Sequence, residues 1–175
     1  VLKPLRMKDT FFDIPEGKLD RFTSCHMQND AGFTVVDKWN TSPYRDGFEF
    51  HSGGGGLTGT IQDYGKFSQM LANWGTLYGN RILRKSTLEE MFKNHIPEGG
   101  GMDFGLGFSI ESVALGGISG VAVEQYTWGG YASTVFKVVP KANLSMVFMR
   151  QSIPFDAQVA ERLFEVVRKG VTVTQ

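Results

Sequence analysis

Between Thr60 and Gly75 apolar side chains recur at Ile61, Tyr64, Phe67, Leu71 and Trp74. Steps of three and four residues put them on one side of a helix, and Thr60 with Asp63 forms a capping box at its start. The spacing predicts a helix over 61–74, ended by Gly75. A second box, Ser86 with Glu89, stands beside Leu88, Met91 and Phe92, so another short helix is expected before Pro97 forbids continuation. After the glycines at 99–101 the pattern changes to β-type segments near 105–112, 120–128, 132–139 and 144–151. Pro140-Lys-Ala-Asn143 reads as a tight turn between the last two, and sequential strands joined by turns imply an antiparallel sheet. Asp156 is placed to cap a final helix whose Val159, Ala160, Leu163, Phe164 and Val167 form one stripe, ended by Gly170. That stripe is expected to cover a sheet face. Residues 1–55 lack a sustained period and carry turn formers at Pro15-Glu-Gly17, Asn29-Asp30, Ser42-Pro43 and Asp46-Gly47, so short helices and irregular crossings are expected there. No internal repeat, heptad seam or low-complexity tract interrupts this order.

Composition narrows the classes. The 175 residues suit one core, and with 41% apolar and 21% charged residues the chain reads as a water-soluble globular body. Eighteen basic side chains balance eighteen acidic ones, so no net field attracts nucleic acid or an anionic membrane, and neither is expected as a partner. Cys25 is the single cysteine, read as a small buried or semi-buried side chain, and His26, His51 and His95 are too scattered for a metal site. No metal or other cofactor is expected. The opening Val1-Leu-Lys-Pro-Leu5 has neither an initiator Met nor the order of a secretory signal, so it reads as the middle of a longer protein and leaves the compartment open.

Several motifs carry less than they suggest. Gly54-x-Gly56-x-x-Gly59 has dinucleotide-loop spacing, yet no buried strand precedes it and no Lys-Ser/Thr follows, so the glycines at 53–56 read as a place where backbone passes close to something bulky. Penicillin-recognising hydrolases need Ser-x-x-Lys on a helix, where that interval brings hydroxyl and amine to one face. No serine here has lysine three residues on, and Thr134-Val-Phe-Lys137 falls in an expected strand, where an odd interval points to opposite faces. Tyr78-Gly-Asn80 imitates a Tyr-x-Asn base element but sits in the turn between two capped helices. Ser52 beside His51 has no nucleophile-elbow context, although a triad of distant residues stays open.

Six phrases in order resemble class C β-lactamases and related esterases. They are Leu5-Arg-Met7-Lys-Asp-Thr10, then Ser52-Gly-Gly-Gly-Gly-Leu57 leading into Asp63-Tyr64-x-x-Phe67, and Leu77-Tyr-Gly-Asn-Arg-Ile-Leu83. Phe104-Gly-Leu-Gly-Phe108, Tyr126-Thr-Trp-Gly-Gly130 and Val139-Pro-Lys-Ala-Asn-Leu144 complete the series. The resemblance implies the carboxyl-terminal part of an α+β fold, in which an antiparallel sheet flanked by helices meets a helical region across a catalytic cleft. Residues 1–100 would belong to the helical region with its crossing loops, and residues 101–175 to the sheet with its last helix, as one incomplete catalytic domain. The Ser-x-x-Lys nucleophile and the Tyr-x-Asn base are then expected in a missing amino-terminal half, so that this chain alone would be inactive. Trp128-Gly129-Gly130 stands where the family carries Lys-Thr-Gly or His-Thr-Gly, and the backbone N–H of Tyr131 would be one oxyanion-hole donor. An indole in place of Lys or His implies a small, uncharged ester or amide substrate with apolar groups. The alternative is a non-catalytic binding or structural module of the same shape. Without its other half, the chain is expected to bare a sheet edge and a helix face, which favours self-pairing into a dimer.

Overall fold

A computed structural model describes residues 1–46, 49–116 and 122–171. After a 3-10 turn at Glu16–Arg21, the elements are β1 (Cys25–Asn29), β2 (Gly32–Asp37), α1 (Pro43–Asp46), α2 (Ile61–Ala72), β3 (Thr76–Leu77), β4 (Asn80–Arg81) and α3 (Lys85–Met91). Then follow β5 (Ser109–Ala114), β6 (Ala122–Gly130), β7 (Thr134–Val139), β8 (Leu144–Phe148), β9 (Ser152–Ile153) and α4 (Gln158–Gly170). The fold is α+β. Its centre is a four-stranded antiparallel meander in the order β5-β6-β7-β8, with helices on both faces.

The helix expected over 61–74 forms as α2 but stops at Ala72. Trp74 takes the left-handed conformation (φ 51°) and Gly75 closes back on the Met70 carbonyl, so the chain reverses one residue before the glycine. That reversal sets the indole edge-on to Phe92 at 6.1 Å. Only half of the capping box forms. Thr60 Oγ1 accepts from the Asp63 N–H, but the Asp63 carboxylate accepts from Asp9 N–H (2.6 Å), Thr10 Oγ1 and Lys66 Nζ (2.7 Å). Burial pushes its pKa up, and these donors more than offset that, leaving Asp63 below the ordinary carboxylate value. Thus the chain start is tied to α2.

The second box does not cap. α3 begins at Lys85 because the Thr87 and Leu88 amides reach the Arg84 carbonyl, and Ser86 lies inside the first turn. Residues 1–55 also hold more order than their pattern shows, since β1 and β2 form an antiparallel hairpin through Asn29, whose side chain accepts from Ala31 N–H. Among the described residues the antiparallel rule has one exception, the parallel pairing of β1 with β9. β5 begins at Ser109, not near 105, because Gly105 and Gly107 make a turn; a Cβ on Gly105 would strike the Met91 carbonyl. The strand expected from 120 begins at Ala122 within the described residues, positions 120–121 lying outside them. β8 ends at Phe148, and 152–153 leave the sheet to join β1. Between β7 and β8 the turn is as expected, a 3-10 turn at Pro140–Ala142 completed by left-handed Asn143.

Toward α2 and α3 the sheet presents Tyr126, Phe136 and Val138, which pack with Met70, Leu71, Leu88, Phe92 and Phe108. One amide ties the layers together: Gln69 Nε2 donates to Asn143 Oδ1 and Gln69 Oε1 accepts from Ser145 Oγ. On the other face Val135 and Met146 meet Ala160 and Phe164 of α4. The expected stripe covers the sheet only through those two residues, whereas Val159, Leu163 and Val167 remain half exposed. Asp156 is not the cap expected of it: the N-cap position falls on Ala157 with no side-chain bond, and Asp156, one residue earlier, accepts through Oδ1 from Gln158 N–H. No helix among the described residues is long and apolar enough to cross a membrane.

Candidate active site

The unusual part of the sheet is the far end of β6. β5 pairs with it only as far as Thr127, opposite Ser109, whereas β7 accompanies it through Trp128, Gly129 and Gly130 to Thr134. Over those last three residues the edge turned away from β7 has no strand partner among the described residues. The chain then turns through 131–133, with Ser133 N–H donating to the Gly130 carbonyl at 3.0 Å. Tyr131 is 81% exposed, and no acceptor for its N–H is found among the described residues. A strand edge and an adjacent free donor therefore lie together at the surface.

Alternation along β6 gives Trp128 and Tyr126 the face toward α3, and Gly129 the face toward α4. The Trp128 indole is half exposed and stands edge-on to Phe104 at 4.9 Å. Phe104 is itself held after α3, where its N–H donates to Asn94 Oδ1 and its carbonyl accepts from His95 N–H. Burial first, then the hydrogen bond from its hydroxyl to Glu124, hold Tyr126 far above the ordinary phenol pKa. Burial pushes Tyr64 up to about 12. Both phenols stay protonated near neutral pH, so neither offers a general base.

The two glycines have internal reasons. A Cβ on Gly129 would lie 2.7 Å from the Phe155 ring, and one on Gly130 would strike Thr134 Oγ1. Close packing, on one face of the strand for Gly129 and on the other for Gly130, explains them without any ligand.

The remaining motifs resolve into local structure. Within the Gly54-x-Gly56-x-x-Gly59 stretch, Gly56 passes 2.8 Å (at a built Cβ) from the Ser52 carbonyl and Gly59 lies against Thr10, whereas Gly53 and Gly55 have open space. The bulky neighbour is the chain itself. Tyr78 and Gly79 make the turn between β3 and β4, with Asn80 Nδ2 donating to the Tyr78 carbonyl. Thr134 and Lys137 both lie in β7. Ser52 Oγ accepts from Gly54 N–H, and His51 faces Asp13 at 3.2 Å while stacked on Phe12. No group of three or more His, Cys, Asp or Glu able to hold a metal ion occurs among the described residues.

With this geometry the comparisons agree on the class. Simvastatin Synthase (LovD) from Aspergillus terreus, in its unliganded selenomethionyl form, superposes with a TM-score of 0.76 at 21% identity, over 97% of this chain and 47% of that one. The octameric penicillin-binding protein homologue from Pyrococcus abyssi gives 0.67 at 16% identity, over 95% and 35%. These likenesses establish a fold shared with simvastatin synthase and the penicillin-binding protein homologue. The sequence model of the Beta-lactamase family matches residues 1–167, and the chain belongs to that family. Protein Rv1367c of Mycobacterium tuberculosis is 28% identical over 171 residues, 88% of this chain and 42% of its own length. The chain thus spans less than half the length of such relatives.

Proposed function

We propose that the chain is the carboxyl-terminal part of an esterase- or amidase-type serine hydrolase acting through an acyl-enzyme, with the nucleophile supplied by a part of the protein outside these residues. The observation that carries this reading is the free β6 edge at Trp128-Gly129-Gly130 with the unpartnered Tyr131 N–H beside it. When a serine oxygen bonds to an ester carbonyl carbon, negative charge gathers on the carbonyl oxygen. A fixed N–H aimed at that oxygen lowers the barrier by about 3 kcal/mol in comparable sites. Trp128 supplies a flat apolar wall and one N–H where a cation would pair with a substrate carboxylate, so uncharged esters or amides with apolar groups fit best.

Two measurements on the protein that includes the amino-terminal region test this. Fluorophosphonate treatment should leave a covalent serine adduct visible by mass spectrometry, and its absence would favour the non-catalytic alternative. Short p-nitrophenyl esters should be turned over better than nitrocefin; efficient nitrocefin hydrolysis without esterase activity would overturn the substrate reading. Tyr131→Pro, which deletes the N–H, should lower kcat about 10²–10³-fold relative to Tyr131→Ala, which retains it.

A further inference from the structure

Behind the turn that carries the Tyr131 N–H lies a side chain that the reaction itself does not need. Ser133 is fully buried (0% exposed) and holds φ at 64°, a conformation L residues seldom adopt. Its Oγ donates to the Ser152 carbonyl at 2.7 Å, with the Pro154 carbonyl at 3.4 Å, and accepts from the Asp156 N–H at 3.0 Å. One residue earlier the Ala132 carbonyl accepts from Ser152 N–H at 3.2 Å. A single hydroxyl therefore uses both its donor and its acceptor capacity on a segment about twenty residues further along. That segment also carries Phe155, whose ring lies directly behind Gly129.

An exposed turn of this kind would ordinarily sample several orientations, and an N–H that must be reoriented during the reaction loses the advantage of a preset dipole. Here the turn has few ways to move. Toward solvent it shows the Tyr131 side chain, and on its inner side the Ser133 hydroxyl pins it to residues 152–156. Those residues are in turn fixed, Ser152–Ile153 by pairing with β1 and Asp156 by its carboxylate, which accepts from Gln158 N–H at the start of α4. We propose that Ser133 is a positioning residue, whose hydroxyl fixes the direction of the Tyr131 N–H relative to the β6 edge. The proposal rests on the reading of that N–H as the oxyanion donor.

The test compares Ser133→Ala and Ser133→Gly in the protein with its amino-terminal region. Glycine adopts φ 64° without penalty, so Ser133→Gly removes the hydroxyl while relieving the backbone and carries the test should the alanine variant fail to fold. Using p-nitrophenyl acetate, kcat is expected to fall about tenfold with KM changed less than about twofold, since a displaced donor weakens the transition state and not ground-state binding. Fluorophosphonate labelling should slow by a similar factor, and the Ser133 amide, which closes the turn by donating to the Gly130 carbonyl, should exchange with deuterium faster than in the wild type. A folded Ser133→Gly variant with kcat within about twofold of wild type would overturn the proposal. Tyr131→Pro run alongside separates the two failures. If it retains the kcat of Tyr131→Ala, the oxyanion reading is wrong and the positioning role falls with it; if it loses activity while Ser133→Gly does not, only the role of Ser133 is refuted.

Discussion

The two faces of the four-stranded sheet are built on opposite principles. Toward α2 and α3 it is dry at its centre, with polar contacts at the margin: Phe136 meets Tyr64 at 5.3 Å and Phe108 at 5.9 Å, and Tyr126 lies stacked on Phe92 at 3.8 Å. Toward α4 the same strands bury polar groups. Lys137, 3% exposed, reaches Glu111 at 3.2 Å and Glu161 at 2.9 Å, and Gln125 bridges Glu111 at 2.7 Å to Arg168 at 3.2 Å. Thr127 turns its hydroxyl onto the Phe136 carbonyl at 2.6 Å. The dry face binds its helices by area and shape, with edge-on rings adding to the burial. The polar face gains little net energy from its ion pairs but fixes which carboxylates α4 and β5 must bring, so it specifies placement more than it adds strength.

That contrast can be broken by substitution. Phe136→Ala, which opens a cavity where three rings converge, should cost about 3–5 kcal/mol in denaturant unfolding. A loss below about 2 kcal/mol would mean that the dry face repacks freely. Lys137→Ala should cost about 2 kcal/mol, chiefly by emptying the space of the buried lysine stem, since Glu111 and Glu161 are half exposed and water can solvate them, whereas Lys137→Met should recover a substantial part of this by filling the space with apolar atoms. Equal losses for both would show that the charge itself is indispensable. Leu163→Gln, on the half-exposed side of α4, should stay within about 0.5 kcal/mol of wild type when this chain is measured by itself. A larger loss would reveal packing on that helix that the isolated fold does not show.

What could be read in the chain follows the range of the interactions concerned. α2 was legible because its period and its Thr60 cap are local, and the β7–β8 turn because Pro140 and Asn143 have conformational preferences of their own. The start of α3 departs from its pattern, since Ser86-Thr-Leu-Glu89 satisfies the box while the chain turns helical two residues earlier at the Arg84 carbonyl. The β1–β2 hairpin gave little signal because Met27, Phe33, Val35 and Val36 are all substantially exposed, so no inside–outside alternation marks it. At the candidate site, Trp128, Gly129, Gly130 and Tyr131 were singled out by family resemblance alone. Ser133, Phe104 and Phe155 were not, because their partners lie far along the sequence or depend on where a loop returns. Lys137 likewise gave no hint that it would be buried, its two carboxylates standing 26 positions before it in β5 and 24 after it in α4.

The unpaired stretch of β6 also works as a ruler. Trp128, Gly129 and Gly130 extend the strand past β5 by about 10 Å at 3.3 Å per residue. Successive residues of a strand direct their amide and carbonyl groups to alternate edges, so at most two of the three can address a molecule laid along it. So short a purchase cannot hold a long extended chain in register. On the function proposed above, recognition then falls to the indole at its near end, and compact molecules that fit within one pleat are favoured.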